Sequence, residues 1–355
     1  MGPGPSCVHP STYHAMSRMT IGHLDPYFIE IMDGIKASLR TVMGTRNNVT
    51  VPLSGTGSSG MEAAFVNLVE RGDKVLVLVN GVFGKRMVDV AQRLGAEVDE
   101  LEFEWGTPVQ VDKVSSQLKE KDYDIVAIIH AETSTGVRNP VAEVGKLIDG
   151  KALYIVDCVT SLGGIEVSLD EWGADLSYSG TQKCLSCPPG LSPITLNERA
   201  MEKLNNRKTK VPNWYLDMGL LTSYWGGAKR VYHHTAPINM MYGLYQSLHL
   251  LLEEGLENSY ARHLACHNQL AAGLQELGLE LPVEPAYRLP MLNAVSVPEG
   301  VDEAALRNRL LSEFLIEVGA GLGPLAGKII RIGVMGHTAR PENVERLLAA
   351  LKQCL

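Results

Sequence analysis

Long apolar runs are missing from this chain. The longest, such as Val75 to Val79 and Ile125 to Ile129, fall far short of the about 18 residues that cross a bilayer, so no membrane role is expected. A positive charge excess is missing too. The 32 Lys and Arg stand against 40 Asp and Glu, a net charge of −8. A nucleic-acid binder is usually basic, so that class is disfavoured. Cysteine is sparse: Cys7, Cys158, Cys184, Cys187, Cys266 and Cys354 are scattered along 355 residues. That is no dense disulfide framework, and reduced thiols in a cytoplasmic setting are expected. MGPGPSCVHP has no basic or apolar leader region, and KQCL is neither a prenylation box nor a peroxisomal signal, which supports the same expectation. Apolar residues are not lacking. At 45% hydrophobic the chain can build a core, so it is not a disordered one.

What is present is an alternating pattern over a length that suggests about two domains. Strand candidates are Lys74 to Val79, Asp124 to His130, Ala152 to Asp157, Asp175 to Ser179 and Ser192 to Leu196. Helical stretches lie between them at Gly60 to Val69, Gly84 to Leu94, Val111 to Glu120 and Pro140 to Ile148. Near-continuous apolar strands separated by helices predict an α/β fold with a mainly parallel sheet covered on both faces. After Tyr242 the pattern changes. Long helices at Gly243 to Glu254 and Glu257 to Leu277 lead into a smaller α+β unit, with strands Leu292 to Val297 and Ile329 to Val334 and helices from Asp302 and Arg340.

The 35 glycines cluster. Ser54-Gly55-Thr56-Gly57-Ser58-Ser59-Gly60 sits between a short strand, Val49 to Leu53, and a helix predicted to start near Met61. Small residues before a helix N-terminus suit a phosphate, because unpaired N–H groups point at it. A plain strand-to-helix turn uses glycine as well. The run also matches G-x-G-x-x-G, but a dinucleotide site needs an acid at the end of the next strand. That strand, KVLVLV, ends in Asn80-Gly81, which disfavours an NAD oxidoreductase.

Asp157 closes the apolar strand ALYIVD, at the edge where open α/β sheets bind ligands. A buried charge there needs a partner. Lys183 follows another strand in small polar company, although a lone loop lysine is usually only solvated. A phosphate cradle, a strand-end Asp and a strand-end Lys together are what pyridoxal 5′-phosphate (PLP) requires. The lysine forms the Schiff base and the Asp keeps the ring nitrogen protonated.

The chain resembles the class V, fold-type I aminotransferases, in the alanine–glyoxylate, serine–pyruvate and serine–glyoxylate branch. The matching runs are PGPS, SGTGSSGMEAA, NGVFGKR, HAETSTGV, VDCVTSLGG, YSGTQKCLSCPPG, RKTK, YHHT, GLEN and KIIRIGVMGH, in family order over nearly the whole chain. The resemblance implies a large PLP domain built on a mainly parallel seven-stranded sheet, plus a smaller C-terminal domain. It divides the chain into an N-terminal arm and substrate loop at 1–20, the large domain at 21–245 and the small domain at 246–355.

The resemblance also assigns roles. Lys183 and Asp157 become the Schiff-base lysine and the ring-nitrogen partner. Thr56, Gly57, Ser58 and Gln182 hold the phosphate. Val159 and Phe83 cover the two ring faces, and the Thr133 hydroxyl meets the ring oxygen. Tyr232 and Thr235 cross from the other subunit to the same phosphate, which implies a homodimer with shared sites. Arg331 clamps the substrate carboxylate, a role that guanidinium geometry suits, and Gly22 and His23 form a loop at the substrate pocket.

The implied reaction is ping-pong transfer of an amino group from alanine or serine to glyoxylate or pyruvate. Ureidoglycine–glyoxylate and aspartate–glyoxylate enzymes are alternatives in the same family. The first tends to carry amides where this chain has His23 and Tyr232. A cysteine desulfurase stacks a His where this chain has Phe83. No metal is expected. Cys184-Leu185-Ser186-Cys187 lacks a second pair, and His263, His267, His233 and His234 lack partners at metal spacing.

Overall fold

A computed structural model describes residues 1–226 and 230–355. In chain order the strands begin with β1 (Val49–Ser54), β2 (Lys74–Val79), β3 (Glu97–Glu102) and β4 (Ile125–Ile129). β5 (Ala131–Glu132) and β6 (Val137–Arg138) form a short ribbon, and β7 (Leu153–Asp157), β8 (Leu176–Tyr178) and β9 (Leu191–Leu196) follow. Seven of these make one sheet in the order β1-β9-β8-β7-β4-β2-β3. Only β9 runs against its neighbours. The expected mainly parallel α/β sheet is therefore present.

Helices cover both faces, which is why the inner strands are apolar along their whole length. β4 reads IVAII and every residue of it is buried. The helices are α1 (Pro10–Met16), α2 (Pro26–Val42), α3 (Gly57–Leu68), α4 (Val82–Arg93), α5 (Val111–Glu120), α6 (Val141–Ile148), α7 (Glu198–Asn205) and α8 (Met218–Trp225). The predicted strands and helices of this half fall within a few residues of these spans. β3 has no counterpart among the predicted strands. Its sequence, EVDELE, is acidic because it is a sheet edge with half-exposed faces. Lys85 bridges Glu100 and Glu102, and Lys121 holds Asp99 at 2.7 Å.

α9 (Ile238–Glu254) and α10 (Leu256–Glu276) are separated by Gly255, whose φ of +87° suits glycine. α9 packs on α1 and α2, and Leu248 and Leu251 belong to the core around the large sheet. The change of core therefore falls near Gly255 rather than at residue 245. A second core holds α10, α11 (Glu303–Phe314), α12 (Pro341–Cys354) and the small antiparallel sheet of β10 (Leu292–Ser296), β11 (Gly319–Ala320) and β12 (Ile329–Gly333). The first residues tie the two together. Gly333 donates its N–H to the Met1 carbonyl at 2.8 Å, and Ser6 bonds the carbonyls of Gln182 and Lys183 at 2.8 and 2.6 Å.

Candidate active site

The carboxyl ends of five strands converge on one edge of the large sheet. β1 leads into Thr56, β2 into Phe83, β4 into Thr133, β7 ends in Asp157 and β8 leads to Lys183. The sheet register fixes the centre: Asp157 stands level with Ile129 of β4 and Tyr178 of β8. A cavity of about 170 Å³ opens there, lined by Gly57, Ser58, Phe83, Thr133, Asp157, Val159, Gln182 and Lys183 among others. All eight are among the expected site residues.

The glycine-rich run is closer to the cavity than expected. α3 starts at Gly57, not near Met61, because Gly57, Ser58 and Ser59 themselves take the first helical turn. Thr56 is the N-cap and makes no side-chain capping bond. The first N–H groups of the helix are thus left for a ligand, with the positive dipole end behind them. Gly57 packs tightly: a Cβ there would come 3.3 Å from a Val159 methyl, which would have to give way. Where a dinucleotide site would have its acid, the buried Asn80 amide bonds Asn139 and the Thr107 carbonyl at 2.8 Å each.

Two titratable groups in the cavity are displaced from their ordinary values in opposite directions. Burial pushes the Asp157 carboxyl up to about 7, against the opposing pull of the Val159 N–H at 2.8 Å and of Lys183. The Tyr178 hydroxyl faces it without a full hydrogen bond. Burial, followed by the neighbouring Arg331 guanidinium, brings the Lys183 ammonium down to about 8. The Lys183 amine rests on the Pro3 carbonyl of the N-terminal arm. Asp157 has no cation within salt-bridge distance among the described residues, although it is 3% exposed. A buried carboxylate in that state calls for a positively charged ligand group.

Arg331 lies mid-strand in β12 and is 7% exposed. It donates to the carbonyls of Ala320 at 2.7 Å and Thr133 at 3.2 Å. Among the described residues no carboxylate pairs with it. Its other donors remain for an anion, and a structural salt bridge does not explain it. The Thr133 hydroxyl meets that of Thr160 at 2.5 Å, and the buried Gln182 side-chain oxygen has no partner among the described residues.

Four expected residues lie apart from this cavity within one chain. Tyr232 is exposed, and its hydroxyl bonds Thr235 at 3.2 Å. The His23 ring stands 4.9 Å from the Tyr232 ring, with Gly22 beside it in sequence. The patch continues through Trp214, which stacks on His233 at 4.3 Å, and Tyr215, which lies 4.7 Å from His234.

Other neighbours are absent from the expected set. Arg86 lines the cavity with its guanidinium 4.8 Å above the Phe83 ring. The i,i+3 spacing in NGVFGKR is the available signal. Glu132 is fully buried, and one of its oxygens takes the Ser134 N–H at 3.0 Å. Burial raises its pKa and it faces Asp157 and Arg331. The signal for it is an acid inside HAETSTG, just past an apolar strand. Burial pushes the Cys184 and Cys187 thiols up to about 12, so these cysteines act as wall. His263 accepts from the Gly336 N–H at 2.8 Å and His267 meets Asn293 at 2.6 Å.

The donor set fits PLP. A helix N-terminus faces where a phosphate would sit, an unpaired buried Asp awaits a protonated ring nitrogen, and a buried lysine stands beside both.

Comparison with known proteins agrees. The family profile for Aminotransferase class-V matches residues 9–347. An alanine–glyoxylate aminotransferase from Callithrix jacchus is 41% identical, covering 100% of this chain and 87% of the relative. The (S)-ureidoglycine–glyoxylate transaminase of Bacillus subtilis is 38% identical, covering 100% and 90%. The crystal structure of an alanine–glyoxylate aminotransferase from Nostoc sp. superposes with a TM-score of 0.98 at 50% identity, covering 100% of this chain and 94% of that one. The chain belongs to the class-V aminotransferases, the PLP-dependent enzymes of fold-type I.

Proposed function

We propose that this aminotransferase moves the amino group of alanine or serine to glyoxylate, or to pyruvate, by a ping-pong mechanism. The observation that carries the reading is one cavity holding Asp157 and a buried Lys183, with Arg331 beside them in no ion pair among the described residues. Bound PLP supplies an electrophilic carbonyl carbon and a ring that accepts an electron pair. The N–H groups at Gly57 and Ser58, with Thr56 and Gln182, hold its phosphate. Val159 and Phe83 would cover its ring faces, and the Thr133 hydroxyl would meet its ring oxygen.

Asp157 keeps the ring nitrogen protonated. The positive charge replaces the cation that the carboxylate lacks and returns it to its ionised form. Arg331 takes the substrate carboxylate through the donors that Ala320 and Thr133 leave free, and so orients the α-carbon towards Lys183. With its pKa brought down to about 8, the Lys183 amine is available near neutral pH to take the α-proton and to return it on the other side of the transfer. The second half-reaction runs the same proton path backwards on the acceptor. The cavity's other arginine, Arg86, lies over the Phe83 ring, so Arg331 is left as the one clamp, which suits substrates with small side chains.

The reading includes a homodimer with shared sites. Tyr232 and Thr235 belong to an exposed aromatic patch outside their own cavity, and a second copy bringing them to the phosphate accounts for both facts. His23 and Gly22 would approach the partner's substrate in the same way. Six unpaired cysteines support a cytoplasmic setting.

A donor panel tests the substrate pair. Alanine, serine, aspartate and (S)-ureidoglycine are each assayed with glyoxylate and with pyruvate. The highest kcat/KM is expected for alanine or serine with glyoxylate. A clear preference for ureidoglycine or aspartate would overturn the assignment.

A further inference from the structure

A second cavity, of about 260 Å³, lies behind the lysine-bearing segment. Three parts of the chain that are distant in sequence build it: the arm at His9 and Thr12, the residues directly after Lys183, and the turn at 336–340 beyond β12. Residues of α9 and α10 close it.

Its polar side is rich in donors. Arg340 donates to His337 Nδ1 at 2.9 Å, so the His337 proton sits on Nε2. The Ser11 N–H donates to His9 Nδ1 at 3.1 Å, which likewise places the His9 proton on Nε2. The two rings meet edge to face, 4.9 Å apart. Among the described residues neither Nε2–H has a partner. The charges do not cancel either. Glu254 neutralises Arg262 through contacts of 2.5 and 2.9 Å, and Arg262 is also fixed to the carbonyls of Gly336 and Ala339. Arg340 has no carboxylate within reach among the described residues. Leu185, Leu250 and Leu251 give the lining an apolar part, and the hydroxyls of Thr12, Ser186 and Ser247 complete it.

We propose that this cavity is a second ligand site, for a small carboxylate with a short aliphatic tail. The guanidinium of Arg340 and the two imidazole N–H groups take the carboxylate, and the leucines take the tail. An occupant touches the segment after Lys183 and the turn after the strand of Arg331 at once. It therefore holds together the two halves between which the substrate lies.

Burial and the cations Arg340 and Arg262, with His9, keep the His337 imidazole below its ordinary pKa. Glu254 and the protonated Cys184 thiol complete the ionisable groups around the cavity. A bound anion would offset the cations that surround the imidazole.

The test is calorimetric titration of the holoenzyme with butyrate, which has no amino or oxo group to react, and in a parallel arm with inorganic phosphate. Saturable butyrate binding is expected, with a rise in Tm. Arg340→Gln should weaken it about tenfold, the loss of one charge-assisted hydrogen bond. Leu250→Trp should abolish it by filling the apolar side while leaving the cations in place, which covers the case of a misfolded Arg340 variant. Arg331→Lys should leave it intact. Butyrate binding that is absent, that disappears in Arg331→Lys, or that survives both Arg340→Gln and Leu250→Trp would overturn the proposal. Binding of phosphate without butyrate would overturn its carboxylate-and-tail chemistry.

Discussion

The Lys183 cavity and the Tyr232 patch are built in opposite ways. The cavity is enclosed by strand ends of one chain, and burial has moved its two titratable groups to about 7 and about 8. The patch is open. Tyr232 and Trp214 are 54% and 61% exposed; the Trp214 ring stacks on His233 and the Tyr232 ring lies tilted against His23. The first region is a prepared electrostatic environment that needs a ligand to relax it. The second is an exposed aromatic surface, which the proposed dimer would turn towards the phosphate of a second copy. Under the proposed dimer, one cofactor would draw on both regions.

The comparison can be broken at its buried end first. Lys183→Ala removes the group that moves the α-proton, and kcat should fall by ~10²–10⁴-fold or more while the fold and Tm persist. Transamination at near wild-type rate would place the proton transfer elsewhere. Asp157→Asn keeps the shape and removes the charge, so kcat should fall by ~10²-fold, with PLP bound more weakly. An unchanged rate would mean that the ring nitrogen is not held by this residue.

The exposed end predicts a smaller effect. Tyr232→Phe combined with Thr235→Val should weaken PLP about tenfold, as measured by cofactor titration. Mixing that double variant with Lys183→Ala chains should restore activity, because one hybrid site then has a complete set of residues. No recovery on mixing would contradict a site shared between chains.

The smallest effect is on stability of the cofactor-free protein. The folded pKa of Asp157 lies above its unfolded value, so the folded chain binds more protons between about pH 4 and 7 and stability falls as pH rises through that window. The folded pKa of Lys183 lies below its unfolded value, so its share of stability increases from about pH 8 towards 10. Asp157→Asn should remove the first slope in a denaturant titration series. Persistence of that slope would assign it to another carboxyl, such as Glu132, whose burial also raises its pKa.

The same contrast governs how much of the fold and of the site is legible in the amino-acid sequence. Asp157 is legible because an apolar run ends at it, and a polar residue at such an end has few uses. The inner strands are legible for the same reason. Lys183 becomes legible only beside Asp157 and the glycine-rich run. β3 is hidden, since an acidic edge strand held by Lys85 and Lys121 looks like a solvated segment. The glycines displace the expected start of α3, because they read as loop but fold as the first turn. Arg86 and Glu132 escape notice because their roles depend on α4 packing over the ends of β2 and β4, and residue spacing alone does not reveal that contact. The roles of Tyr232 and Thr235 come from resemblance alone.

The most direct test of the central claim is borohydride reduction of the holoenzyme followed by peptide mapping. The protein should be yellow, and reduction should fix one PLP per chain on Lys183 and bleach the visible band. A protein that stays colourless with added PLP, or a label on any other lysine, would contradict the assignment of this cavity.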